Sequence, residues 1–238
     1  RTTMNALKLS SVRNLRIVGP TAFRTFRCIW MLEELGVTYE HDTVSMPRSN
    51  GSRKSHPLGK IPSLVINDGE FSIYESAAIN SFLGRQYGSS LVPATDPFLL
   101  ALYDQTILCL MAEMDAQGLW IHRKHEALAG LFGEAPVAVK HAKNQFDQVN
   151  KALCNQLNPF LLGAEFSAAD ILYVHCLDWA EAIGWGEAWV EGSDTNEKDS
   201  EMKMKLKDYL EKCRSRPAYQ KTMEKRSQER EIAKKNKE

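Results

Sequence analysis

The chain has 238 residues, and its 30 Lys and Arg residues balance 30 Asp and Glu residues, so the formal net charge is zero. A neutral chain has no global basic field to attract nucleic acid or an anionic membrane. No apolar run approaches the roughly 20 residues that a membrane helix needs, and the first residues lack the pattern of a signal peptide. We therefore predict a soluble, cytoplasmic protein with neither a nucleic-acid nor a membrane partner.

The five cysteines are scattered along the chain and form no C-x-x-C pair. An odd, dispersed set fits neither a disulfide framework nor a zinc site, so we predict reduced thiols and no metal. Cys28, Cys109 and Cys176 have apolar neighbours, which favours small buried hydrophobic residues over nucleophiles.

The first part of the chain predicts alternating strands and helices. Residues 1–14 show no periodicity and are expected to form a disordered leader. Leu15 to Val18 is a β-branched run typical of a buried strand, and the apolar stripe from Arg24 to Leu35 predicts a helix that ends at Gly36. Val37 to Val44 alternates apolar and polar residues, which predicts a second strand. The resulting β-α-β unit requires parallel pairing with a right-handed crossover.

A second group of elements follows a polar segment, 47–55, which we predict to be a loop with a turn at Asn50-Gly51. Ser63 to Asn67 and Glu70 to Tyr74 alternate on either side of Asp68-Gly69, a strong hairpin signal. A helix over 75–87 completes the unit.

Beyond residue 88 the pattern becomes almost wholly helical. Residues 89–96 contain Pro93 and end directly before Pro97, which predicts a linker, while Ser167 and Asp170 have the spacing of a helix capping box. A polar insertion occupies 192–200, and the residues after Pro217 carry mixed charges typical of a solvated tail. The remaining predicted helices cover 97–117, 137–157 and 202–213, with a looser region at 118–136.

These elements predict an α/β plus all-α architecture, in which a thioredoxin-like N-terminal domain precedes an all-helical domain. The predicted boundaries are 1–14 for the leader, 15–88 for the thioredoxin-like domain, 89–96 for the linker, 97–220 for the helical domain and 221–238 for the tail.

Five ordered segments carry a specific resemblance: FRCIWMLEELGVTYE, HPLGKIPSLVINDG, YESAAINSFLGRQYG, FSAADI and SRPAY. Through them the chain resembles the cytosolic glutathione S-transferases, particularly the bacterial and fungal branches, over roughly residues 15 to 220. The resemblance implies the glutathione S-transferase fold, glutathione as co-substrate and a homodimer that pairs the first domain of one subunit with the second domain of the other.

Pro62 enters the third strand, where its missing amide suits a strand start or an edge. Physics alone favours a trans peptide bond and a plain edge strand, since only about 5–6 % of X-Pro bonds are cis. The resemblance implies a cis bond. It also implies that the N–H and C=O of Ile61 pair with the cysteinyl part of glutathione.

Glu75 and Ser76 stand at a helix start, where unpaired amides and the helix dipole favour an anion. Ordinary helix capping is the alternative. By resemblance, Ser76 would bind the γ-glutamyl carboxylate and Glu75 would face the neighbouring ammonium group. Lys60 and His56 would approach the glycine carboxylate, although a solvated surface role remains open for both.

Activation of the thiol is where the chain departs from the family. Many relatives have Ser, Tyr or Cys in the loop before the first helix, whereas this chain has Ala22 and Phe23 there. Thr21 and Thr25 flank that gap, and either hydroxyl is a candidate to contact the sulfur. The alternatives are a turn role for Thr21 and a helix N-cap for Thr25.

The leading hypothesis is a transferase that stabilises the glutathione thiolate and conjugates it to a small hydrophobic electrophile. A non-catalytic protein that binds glutathione or hydrophobic ligands is the second hypothesis, favoured by Ala22 and Phe23. A transferase-like interaction scaffold is the third, and the presence of Lys60, Glu75 and Ser76 argues against it.

Overall fold

The computed structural model describes residues 11–186 and 197–236. The first ten residues of the predicted leader and most of the polar insertion lie outside these ranges. The chain divides into two compact units. Unit 1 runs to Ile79 and includes the residues from Thr222 onwards, while unit 2 comprises Asn80–Lys221.

Unit 1 contains four strands, which are β1 (Leu15–Val18), β2 (Glu40–Asp42), β3 (Ser63–Ile66) and β4 (Phe71–Tyr74). They form one mixed sheet in the order β2-β1-β3-β4. Strand β1 pairs parallel with β2, in the register Ile17 to His41, and antiparallel with β3, in the register Ile17 to Leu64. Strand β4 continues the sheet antiparallel to β3. The predicted parallel β-α-β unit and hairpin are confirmed, although β2 is shorter than the alternation suggested.

Helix α1 (Thr25–Leu35) connects β1 to β2 and buries its first eight residues. Gly36 ends the helix with a φ of 62°, and its N–H donates to the carbonyls of the last turn, as the sequence predicted. The N-cap is Arg24, which makes no side-chain capping bond. The alternative role of Thr25 as N-cap is therefore wrong, because Thr25 is the first residue inside the helix.

The segment predicted as a polar loop contains a short helix, α2 (Asn50–Ser55). The Ser49 side chain caps it by accepting a hydrogen bond from the Ser52 N–H. The Ser52 hydroxyl donates to the Gly59 carbonyl, so the helix is fixed to the turn that follows it. Capping and this contact outweigh the poor helix propensity of Asn50 and Gly51.

After the hairpin, helix α3 (Ser76–Gln86) begins immediately beyond β4. Unit 2 then consists of helices around the buried residues of α8. They are α4 (Pro97–Cys109), a π-helical segment (Leu110–Leu119), α5 (Trp120–His125), α6 (Ala129–Phe132), α7 (Pro136–Gln156), α8 (Ala168–Ala182) and α9 (Glu197–Arg214). The region predicted to be loose is thus largely helical.

The predicted capping box is present at the start of α8. The Asp170 carboxylate accepts hydrogen bonds from the N–H and hydroxyl of Ser167, both at 2.8 Å, and from the Leu161 N–H at 3.0 Å. The Tyr209 hydroxyl also donates to it at 3.0 Å. This buried carboxylate therefore connects α8 to the preceding loop and to α9.

The charged residues after Pro217 form a last helix, α10 (Pro217–Lys235), most of whose residues from 221 onwards are exposed, as expected of a solvated tail. Its residues from Thr222 onwards belong to unit 1, and Thr222 is fully buried. The predicted domain boundaries stay a prediction beside this division, in which unit 2 begins at Asn80 and the residues from Thr222 onwards lie in unit 1.

One helical run of the described chain, Pro97–His125, is long and apolar enough to cross a membrane by length and composition alone. Core helices of soluble proteins pass the same test. Here the run contributes Tyr103, Leu110 and Met114 to the buried core of unit 2, while Phe98 and Leu108 are exposed.

Candidate functional site

The Ile61-Pro62 peptide bond is cis, as the family resemblance implied. Pro62 is buried directly before β3, whereas Ile61 is partly exposed. No hydrogen bond joins the main-chain N–H or C=O of Ile61 to any residue that the structure describes. Ile61, two positions before β3, therefore offers one free donor and one free acceptor to an extended peptide.

A tight turn from His56 to Gly59 leads to this position. The Gly59 N–H donates to the His56 carbonyl at 2.8 Å, and the His56 ring packs on the Tyr74 ring with centroids 4.6 Å apart. The Leu58 N–H donates to Nδ1 of His56 at 3.0 Å. A histidine that accepts at Nδ1 keeps its other ring proton on Nε2, which is then the donor that remains.

Burial lowers the pKa of His56, with Glu75 opposing the shift and Lys60 adding to it. Glu75 and Lys60 therefore each lie close enough to the His56 ring to interact with it electrostatically. Lys60 and Glu75 are exposed, whereas His56 is buried. The group therefore presents one neutral donor, one cation and one carboxylate at the same edge of unit 1.

Glu75 and Ser76 form the start of α3. The Glu75 carbonyl accepts the first helical hydrogen bond, from Ile79, which leaves the amides of the first turn without partners inside the helix. Glu75 has a φ of 69°, a left-handed conformation that costs a side-chain-bearing residue roughly 1–2 kcal/mol. Such strain is typical of functional sites where the surrounding structure fixes the backbone.

A contact that the sequence analysis missed supports Ser76. Arg27 is fully buried in α1, and its Nη1 donates to the Ser76 hydroxyl oxygen at 3.2 Å. Ser76 thus accepts from the guanidinium and keeps its own proton for another acceptor. The signal was a lone arginine within an otherwise apolar helical stripe, which requires an internal partner.

The two threonines considered for thiol activation are both fully buried. The N–H and hydroxyl of Thr21 each donate to Oε2 of Glu229 in α10, both at 2.8 Å. Thr25 Oγ1 has no hydrogen-bond partner among the described residues. In this conformation a sulfur atom therefore has no access to either hydroxyl, and their catalytic role stays a prediction.

Between the threonines, Ala22 is exposed and Phe23 is partly exposed. The Phe23 N–H donates to the Pro20 carbonyl, whereas no hydrogen bond joins the Ala22 N–H to a described residue. The loop before α1 therefore offers a main-chain donor at Ala22, where the family resemblance implied a polar side chain.

Cys28 is fully buried in α1, and its Sγ lies 4.0 Å from the Ser76 carbonyl oxygen, to which it donates. Burial raises the pKa of the Cys28 thiol, which fits the predicted structural role. Within residues 11–186 and 197–236, no group of three or more His, Cys, Asp and Glu side chains is arranged to hold a metal ion.

Parts of this chain are similar in sequence to known proteins. Residues 24–86 match the model of the glutathione S-transferase N-terminal domain. This part of the chain is therefore similar to the N-terminal domain of the glutathione S-transferases. Among curated relatives, glutathione S-transferase 3 of Schizosaccharomyces pombe is 37 % identical over 108 residues, which span 44 % of this chain and 38 % of that relative. The chain therefore covers well under half of the length of that protein.

The match to a second relative spans a larger share of this chain. Glutathione S-transferase hmp2 of Hypomyces subiculosus is 28 % identical over 178 residues, spanning 69 % of this chain and 82 % of that protein. Both relatives are fungal, which is compatible with the branch that the sequence motifs indicated.

The whole structure has the glutathione S-transferase fold. It matches Ure2p5 from Phanerochaete chrysosporium, cocrystallized with 1-(S-glutathionyl)-2,4-dinitrobenzene, with a TM-score of 0.71 and 18 % identity. That match covers 92 % of this chain and 97 % of the other. The predicted combination of a thioredoxin-like domain and an all-helical domain is thereby confirmed.

Proposed function

We propose that the protein binds glutathione at the edge of unit 1 and conjugates it to a small hydrophobic electrophile. The observation that carries this proposal is the free main-chain N–H and C=O of Ile61 beside cis-Pro62. An extended peptide such as glutathione can pair with both groups, in the manner of an added strand.

The charged groups of glutathione have complementary partners around Ile61. The γ-glutamyl carboxylate would bind the Ser76 hydroxyl and the first amides of α3, where the helix dipole favours an anion. Its ammonium group would face the Glu75 carboxylate. The glycine carboxylate would meet the Lys60 cation and, through Nε2–H, the His56 ring, which its lowered pKa keeps neutral.

The thiol must then lose its proton. A free thiol has a pKa of about 8.5 and is only a few per cent ionised at neutral pH. We assign stabilisation of the thiolate to the Ala22 amide and the N-terminal end of α1, because the nearby hydroxyls are buried. The thiol proton leaves to water, and the sulfur forms a bond to the electrophilic carbon as the leaving group departs.

The related Ure2p5 structure was obtained with a glutathionyl dinitrobenzene thioether, which supports an aryl electrophile as the first substrate class to test. The test uses glutathione-affinity retention together with turnover of 1-chloro-2,4-dinitrobenzene. Retention with turnover is the expected result. Absence of glutathione binding would overturn the proposal, and Ser76→Ala provides the site-specific variant that should lose retention.

A second function, binding without turnover, is favoured by the burial of Thr21 and Thr25. In that case glutathione would be retained, but the bound thiol would ionise at the same pH as free glutathione. Ultraviolet difference spectra of the bound thiolate distinguish the two functions. Turnover of several chemically different electrophiles would exclude the second one.

We further propose that the protein is a cytoplasmic homodimer, as the family resemblance implies. Phe98, Leu102 and Leu108 of α4 are exposed large apolar residues, with Phe98 86 % exposed. Exposed apolar side chains on one helix support association with another chain. Sedimentation velocity of the purified protein would test this, and a concentration-independent monomer would contradict it.

A further inference from the structure

The last helix brings a carboxylate to the loop before α1. Glu229 lies 208 positions after Thr21, and its Oε2 accepts both the Thr21 N–H and the Thr21 hydroxyl at 2.8 Å. All of these atoms belong to unit 1. A hydroxyl has one proton, so Thr21 has no proton left for a sulfur atom while Glu229 is bound.

Neighbouring residues on the same side of α10 as Glu229 also contact unit 1. Lys225, one helical turn earlier, lies 3.5 Å from the Glu33 carboxylate and 5.4 Å from the centre of the Tyr39 ring. The guanidinium of Arg226 lies 5.5 Å from the centre of the Phe26 ring. Residues separated by three or four positions share a helix face, so one face of α10 binds α1 and the start of β2.

His41 completes the surroundings of the carboxylate. Its Nε2 lies 2.9 Å from the Gly19 carbonyl, and its Nδ1 lies 3.6 Å from Oε1 of Glu229. Oε1 is buried and makes no hydrogen bond to a described residue. The carboxylate thus uses one oxygen to hold the loop at Thr21, while the other faces the imidazole ring that contacts the same loop at Gly19.

On its other side, the loop lies close to Ile61, at the edge of unit 1 where we propose that glutathione binds. Gly19 has a φ of 112°, and a Cβ atom placed on it would lie 2.8 Å from Cβ of Ile61. The loop is therefore enclosed between Ile61 and Glu229. A displacement at Thr21 would move Ala22, the adjacent residue to which we assign the sulfur contact.

We propose that Glu229 is a positioning residue, which acts through Thr21 to hold the Ala22 amide in place for the glutathione sulfur. This inference rests on the proposed transferase function. It assigns the end of the chain a role in thiol activation, although Glu229 does not touch the substrate.

The test compares Glu229→Gln and Glu229→Ala with the matched control Glu231→Gln, whose residue is exposed on the same helix. With 1-chloro-2,4-dinitrobenzene, Glu229→Ala should lower kcat by about tenfold or more, while KM for glutathione changes by less than about threefold. Glu229→Gln should have a smaller effect, since its amide oxygen still accepts from Thr21. The control should match the wild type.

A second measurement separates positioning from a loss of stability. The pH at which bound glutathione ionises, read from the thiolate absorbance, should shift upwards in Glu229→Ala, whereas a merely structural role would leave it unchanged. Thr21→Val, which removes one of the two donors, should shift it in the same direction.

The possible outcomes are distinct. If Glu229→Ala equals the control or raises kcat, the positioning role is wrong while the transferase function stands. If the wild type itself neither binds glutathione nor turns over the electrophile, the proposed function fails first and the positioning role fails with it. A variant that does not fold is recognised by circular dichroism, and Glu229→Gln and Thr21→Val then decide the question.

Discussion

Arg27 and Ser76 are 49 positions apart in the sequence, yet the buried guanidinium of the first donates to the hydroxyl of the second at 3.2 Å. The contact joins α1 to the start of α3. The guanidinium restricts the rotation of the Ser76 hydroxyl group by donating to its oxygen. The hydroxyl proton is then available to donate to a carboxylate.

Ser76→Ala should therefore weaken glutathione binding. A hydrogen bond to a charged group contributes roughly 1.5–3 kcal/mol, which corresponds to an increase in Kd of about 10- to 150-fold. Isothermal titration calorimetry with glutathione measures this directly. Ser72→Ala in β4 serves as the control, and equal affinities of the two variants would contradict the role of Ser76.

The free energy of unfolding should depend on the protonation of His56 as the pH falls. The folded protein lowers the pKa of His56, mainly by burial, so the unfolded chain binds more protons between the folded value and the ordinary value near 6.5. The free energy of unfolding should then rise with pH through this window and fall on acidification below about 6.5.

Urea denaturation at a series of pH values measures this dependence. His56→Asn offers a non-titrating acceptor to the Leu58 N–H, which donates to Nδ1 in the wild type. The variant should reduce the pH dependence in that window. If the free energy of unfolding of the variant depended on pH as steeply as that of the wild type, other groups would be responsible.

Thr25→Val tests the unpartnered hydroxyl at the start of α1. Thr25 Oγ1 is buried without a hydrogen-bond partner among the described residues, and burying such a group costs roughly 1–3 kcal/mol. The isosteric valine should therefore stabilise the protein by about 1 kcal/mol, measured by urea denaturation. Conjugation by the same variant is the second readout: a large loss of kcat would assign the sulfur contact to Thr25 instead of the Ala22 amide.

The elements that local chemistry determines were predicted from the sequence. Asp68-Gly69 marked the hairpin, Gly36 marked the end of α1, and Ser167 with Asp170 marked the start of α8. In each case a few neighbouring residues decide the backbone conformation, either through a left-handed φ or through reciprocal hydrogen bonds at a helix end.

The elements that depend on distant contacts were not predicted. Helix α2 forms from Asn50-Gly51 because Ser52 bonds to the Gly59 turn, a contact that no local propensity indicates. The contact between α10 and the loop before α1 depends on Glu229, which accepts a hydrogen bond from Thr21. Mixed charges alone are as typical of a solvated tail as of a helix that makes such a contact. Motifs were thus enough to propose the binding residues, which stay a prediction, whereas the contacts that support them were not predicted from the sequence.

Gly19 offers the sharpest test of the close approach between the loop and the binding edge. A Cβ atom at this position would meet Ile61 Cβ and Thr25 Oγ1, each at 2.8 Å, in addition to the strain of a φ of 112°. Gly69 in the hairpin has a similar φ of 105° but open space around it. Both alanine variants carry the backbone strain, and only Gly19→Ala adds the clash.

Gly69→Ala should therefore destabilise the protein by about 1–2 kcal/mol and leave glutathione affinity unchanged. Gly19→Ala should be less stable still, because relieving the clash requires moving the loop or Ile61, and its affinity for glutathione should fall by about tenfold or more. Thermal unfolding and calorimetry on the two variants measure both effects. Equal affinities would show that the Ile61 main chain does not depend on the loop, and hence that binding and thiol activation are structurally independent in this protein.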